Sequence, residues 1–171
     1  MPVNTSYSVS SFQQCDGTNF TTAGVDNSYK VGSGSIGAYA GIGLTFDGKS
    51  SSAIVDLKGS IPYGDSPVSG GFRIRNNLNE NAQSVQFRVQ PCTVTVPVSN
   101  KTSIYTTPYV VAKVNYDSGK VNTNIGNYTG VSTNMKIAGH DVKGFVEVQA
   151  YDLTNIKSET TSVNVGFSIS I

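Results

Sequence analysis

The amino-acid sequence predicts an all-β fold: a single-domain antiparallel β-sandwich, jelly-roll or Ig-like, of about nine to eleven strands. Alternation of apolar and polar residues with period two runs through most of the 171 residues, as strands with one buried face require. Turn residues interrupt it at intervals of about 8–15 residues. Helix-building residues are scarce, with 4 Leu and 3 Glu against 21 Val and 11 Ile, and β-branched side chains favour a pleated surface.

At the N-terminus Val3, Thr5, Tyr7 and Val9 alternate with Asn4, Ser6, Ser8 and Ser10. A loose Ser/Gln/Gly stretch follows. Residues 1–14 therefore also read as an exchangeable arm, with Val3, Tyr7 and Val9 adding to the sheet edge of a neighbour as a donor strand. The Gly-rich stretch Gly32 to Gly43 passes into Ala40–Ile42–Leu44–Phe46. Its Gly32-Ser33-Gly34-Ser35-Ile36-Gly37 carries the letters GxGxxG, but phosphate binding by that motif needs a following helix, and a strand pattern follows instead. Ala53–Val55–Leu57, Phe72–Ile74 and Val85–Phe87–Val89 come next, the last separated from Val94–Val96–Val98 by Pro91. Asn76 to Gln83 reads as a hairpin loop. Then come Val110–Ala112–Val114–Tyr116 and Val142 to Ala150. The clearest strand is the last, with Val163, Val165, Phe167, Ile169 and Ile171 on one face. Asp47-Gly48-Lys49, Asp117-Ser118-Gly119-Lys120 and Ala138-Gly139-His140 have turn chemistry, Gly supplying the positive φ of tight turns. No composition break divides the chain, so residues 1–171 read as one domain.

Charged residues make up 13% of the chain, about half the usual share. Ser (22), Thr (16) and Asn (15) replace them, on the polar half of each strand and in turns. In a sandwich this polar half is the solvent face. A net charge of +1 gives no basic field for nucleic acid. No run approaches the roughly 18–20 apolar residues of a helical membrane span, so no membrane span is expected. Met1 to Ser11 lack the basic start and apolar run of a signal peptide.

The sequence offers no catalytic, cofactor or metal site. His140, the single histidine, sits in a turn, and the carboxyls are scattered. Cys15 and Cys92 could form a disulfide or remain two thiols. Arg73, Arg75 and Arg88 stand within sixteen residues. If Phe72–Ile74 and Val85–Val89 pair as a hairpin, all three share the face opposite the core, suited to a neighbouring subunit or an anion through bidentate contacts. Tyr63, Tyr105 and Tyr109 lie in turn-like segments and read as loop-tip contacts.

The leading expectation is a non-enzymatic structural subunit that assembles with copies of itself into a virion, tail, fibre or surface appendage, located in a virion or on an extracellular surface. The alternatives are a carbohydrate-binding module or lectin, with glycans as partners, and a β-pore-forming toxin whose Ser/Thr-rich hairpins insert as an amphipathic barrel.

Overall fold

The computed structural model describes residues 3–14, 19–46, 50–66, 68–79 and 83–170. Its strands are β1 (Val3–Gln14), β2 (Asn19–Val31), β3 (Gly34–Thr45), β4 (Ser51–Pro62), β5 (Val68–Asn79), β6 (Ser84–Pro97), β7 (Thr102–Asn115), β8 (Val121–Ile137), β9 (His140–Ala150) and β10 (Thr161–Ser170), with one 3-10 turn at Ser158–Thr160 before the last. Each strand pairs antiparallel with the next, and β1 pairs with β10 in the register Tyr7↔Ile169 and Val9↔Phe167. The sheet therefore closes on itself as a ten-stranded barrel. This corrects the expected sandwich: there are no two facing sheets, and closure leaves no edge strand. Tyr7 and Val9 on β1 pair with β10 on one side and β2 on the other, and Val3 pairs with Tyr29 of β2, all within this same chain.

The period-two pattern survives with its faces exchanged. Paired residues Val165, Val146, Val131, Ile104 and Val96 run side by side from β10 to β6, and all are exposed on the outside. Val9, Ala23, Ile42, Ala53 and Leu78 continue this outer face through β1 to β5. Among the described residues, thirty-three large apolar or tyrosine side chains are exposed, against four in the buried apolar set, Tyr39, Ile54, Tyr109 and Val142. Seven polar or charged side chains are buried, Asp56, Thr107 and Ser162 among them. A water-soluble domain has the opposite arrangement. No described helix is long and apolar enough to cross a membrane, but a strand crosses with about 9–11 tilted residues and alternates in polarity. The lack of one continuous apolar run bears only on helical spans, and a closed barrel with an apolar exterior overturns the expectation of no membrane span.

Local chemistry fits the closure. Ala138 (φ 51°) and Gly139 (φ 86°) form a two-residue turn between β8 and β9, the geometry whose twist matches that of the flanking strands. Pro91 does not end a strand: β6 runs through it, with the register to β7 shifting between Val89 and Val94. A bulge accommodates the missing N–H of proline. Inside, the Tyr39 ring lies where a side chain on Gly24 or Gly41 would sit. Only glycine lets the wall pass that close to a ring.

If one chain closes the barrel, a short bis-thiol cross-linker on Val9→Cys/Phe167→Cys, with Cys15 and Cys92 replaced by Ser, should give a cross-linked monomer on denaturing electrophoresis. A ladder of covalent dimers would instead show strand exchange between copies.

Candidate functional site: the polar lumen

The strands' inner residues surround a cavity of about 670 Å³ lined by side chains from every strand except β3. It is the barrel lumen. The interior of an eight-stranded barrel is about filled by side chains, whereas 16–18 strands leave a wide aqueous channel. Ten strands place this lumen nearer the narrow end.

The most concentrated charge lies on β4, β5 and β6. Asp56 is 1% exposed, and its carboxylate accepts four N–H bonds. Arg73 donates from Nε and Nη2 to Oδ2 (2.8 and 2.5 Å), and Arg75 donates from Nε to Oδ1 (2.7 Å) and from Nη2 to Oδ2 (2.8 Å). The register that places Asp56 opposite Arg75 also places Arg73 opposite Arg88. Arg88 has no carboxylate partner among the described residues; its guanidinium lies 4.2 Å from the centre of the Tyr109 ring. The sequence thus brings its three arginines onto one face, and that face is the inside of the barrel rather than a solvated outer surface. Local sequence clustering does not reveal Asp56, because it meets its partners only through the β4–β5 pairing. Its i, i+2 relation to the apolar inward Ile54 was the available signal.

A tyrosine wall continues round the lumen on β7 and β8. Tyr105 and Tyr109 are inward residues in the middle of β7 rather than loop tips. The Tyr105 hydroxyl donates to Glu147 Oε2 (2.9 Å), Gln149 Nε2 donates to Tyr109 Oη (2.7 Å), and Gln90 Nε2 donates to Tyr128 Oη (2.6 Å). Asn164 Nδ2 donates to the other Glu147 oxygen (3.3 Å). Lys58 on β4 pairs with Asp26 on β2. These bonds join strands one or two places apart, so they brace the wall and do not cross the axis. Tyr63 alone of the three predicted tyrosines lies at a turn, where its hydroxyl donates to the Pro91 carbonyl (2.8 Å). Cys92 is a free cysteine; Cys15 lies outside the described residues.

Ser52 Oγ and Asn77 Oδ1 are buried without a hydrogen-bond partner and line the cavity. A buried polar group left dry costs about 1–3 kcal/mol. A polar lumen of this size has room for the water that removes that cost.

An inside-out closed barrel overturns the virion or appendage subunit and its place in a virion or on an extracellular surface. The exterior is largely apolar, interrupted by a hydrogen-bonded patch of Thr106, Asn127 and Thr129, so it is not a water-facing coat, and the closed ring leaves no open edge to link copies. The lumen also gives a stability prediction. Asp56→Asn leaves Arg73 and Arg75 side by side without their counter-charge. Breaking a fully buried pair costs about 3–5 kcal/mol, and the loss here should be about 2–3, because both guanidiniums remain partly wetted in the lumen. Urea unfolding of the refolded barrel measures it; an unchanged midpoint would show that Asp56 does not organise the wall.

No sequence-family model matches this chain, and neither does any curated protein. Among solved structures its fold is similar to a de novo designed transmembrane β-barrel (13% identity, TM-score 0.43, covering 100% of this chain and 98% of that one). It is similar also to the KdgM porin (14% identity, TM-score 0.45, 97% and 99%) and to a loop-deletion mutant of OmpT, an outer membrane protein of Vibrio cholerae (15% identity, TM-score 0.43, 90% and 54%).

Proposed function

We propose that this chain is a non-enzymatic membrane-spanning β-barrel, of the kind found in bacterial outer membranes, whose lumen is a pore or transport route for small polar solutes. The observation that carries this reading is the exchange of faces: apolar side chains point outward on all sides, and the charged and hydroxyl side chains enclose the cavity. Hydrocarbon around the barrel makes the exterior favourable, and closure satisfies every strand in a solvent that offers no hydrogen bonds. The shortest strand has 10 residues, enough to span at the usual tilt. An even strand number in one chain agrees with the bacterial pattern. Outward aromatics occur toward both ends, Tyr29 and Tyr63 at one and Phe46 and Tyr116 at the other, where amphipathic rings favour the membrane–water boundary. Turns at one end are short, at 32–33 and 138–139, and the longest connection, 151–160, is at the other. Short turns on one side and longer loops on the other are typical of such barrels.

Of the sequence-based expectations, the amphipathic barrel of a pore-forming protein comes closest. The toxin reading supposed hairpins that insert into a target membrane; here ten strands of one chain already form a complete ring.

The chain refolded into phospholipid vesicles should protect its strands from protease and produce discrete current steps in a planar bilayer. A monodisperse protein that stays in buffer and ignores lipid would overturn the reading. The two faces make a sharper test. Val55→Arg puts a charge on the outer face and should cost about 2–4 kcal/mol in vesicles if it lies near the bilayer midplane. Thr95→Lys enters the lumen and should cost under about 1 kcal/mol. The reverse order would return the outer face to water.

A further inference from the structure

Not all the cationic groups in the lumen are balanced. Arg73, Arg75, Arg88 and Lys143 line the cavity, with Glu147 as the acidic side chain among its lining residues. Asp56 sits behind Arg73 and Arg75 and engages the Nε and Nη2 of each. A guanidinium has five N–H donors, so both arginines keep donors that Asp56 does not use. Arg88 engages a ring face, not a carboxylate. Its cross-strand partner is Arg73, and like charges directly opposite one another are unfavourable. Three guanidiniums on two neighbouring strands therefore share one carboxylate. Glu147 lies away on β9 and is already held by Tyr105 and Asn164, so it does not neutralise them.

Such a wall has the features of an oxyanion site. The donors are planar forks suited to carboxylate or phosphate oxygens. Arg73 and Arg75 are fixed by Asp56, and Arg88 by the Tyr109 ring, so little side-chain freedom is lost when an anion binds. The site faces the lumen, where a solute arrives without displacing any part of the wall.

We propose that Arg73, Arg75 and Arg88 form an oxyanion-binding site centred on Arg88, and that the lumen consequently prefers small solutes bearing carboxylate or phosphate groups. The second half rests on the pore reading; the first does not.

Two measurements separate them. The first titrates inorganic phosphate into the folded barrel in detergent, reading its protection against thermal unfolding at constant ionic strength, with sulfate-free chloride as the balancing salt. Arg88→Gln should weaken phosphate binding about tenfold, the worth of one charge-assisted interaction. Arg88→Lys keeps the charge and loses the fork, so it should also bind phosphate more weakly; it carries the test should the Gln variant fail to fold. Lys101→Gln, in an exposed turn, should change nothing. The second records reversal potentials across a KCl gradient in planar bilayers. The wild type should pass chloride over potassium, phosphate should reduce the chloride current, and Arg88→Gln should lose both properties. Phosphate binding without current steps would remove the pore and leave the site standing. Current steps that favour potassium, or phosphate affinity unchanged in both Arg88 variants, would overturn the proposal and leave the pore standing.

Discussion

The pairing of β1 with β10 is the constraint on which the rest of this structure depends. An open ten-stranded sheet with this sequence would present two unpaired edges and one largely apolar face. Water would satisfy the edges and reject the face; hydrocarbon would accept the face and leave the edges unsatisfied at several kcal/mol per group. Closing the ring resolves both, because the edges consume each other and the apolar face becomes continuous. The sequence supports that closure at both ends. The polar face of β1 meets that of β10, as Ser8 opposite Ser168 and Ser10 opposite Gly166, and the outer residues Tyr7 and Val9 meet Ile169 and Phe167.

Strand positions were largely legible from the sequence, and the side of the sheet that faces inward was not. Period-two alternation specifies two faces but does not say which is inside. Val163, Val165 and Phe167 look the same whether they face a sandwich core or lipid. The distinguishing signal was the character of the other face. A surface in bulk water usually carries about 25–35% charged residues, whereas Ser162, Asn164, Gly166, Ser168 and Ser170 carry none. Small uncharged polar residues suit the crowded interior of a narrow barrel, where each must fit beside its neighbours. The low charge marks a face with little room rather than a neutral solvent face.

The same geometry explains the misplaced tyrosines. Tyr105 and Tyr109 flank Pro108, and a segment with Tyr, Thr and Pro looks like a turn. The β-rich wall tolerates Pro108 because its alternation is unbroken: Thr107 and Tyr109 face inward, Thr106 and Pro108 outward. The inward rings then need space. Tyr109 lies against Gly126 and Tyr105 against Gly130, the residues directly opposite them on β8. Glycine on one strand and tyrosine on its neighbour keep the wall thickness roughly constant. No single segment shows this complementarity, because it arises only once the register is set.

Asp56 links the wall's stability to its electrostatics. A lone arginine reaching into a lumen is mobile, and its charge is averaged over many positions. Two arginines two residues apart on one strand project to the same side and repel each other. A single buried carboxylate on the adjacent strand removes most of that repulsion and aims both forks. Complete neutralisation of the wall would need further carboxylates, and none of the described residues provides one for Arg88. The cost of holding that unpaired charge falls on the barrel's stability, and it is lowest when the lumen is wet, since water screens the guanidinium where packed protein would not. A filled, dry interior would have selected against Arg88, or paired it. Its place on the cavity wall therefore fits the wet lumen of the proposed pore.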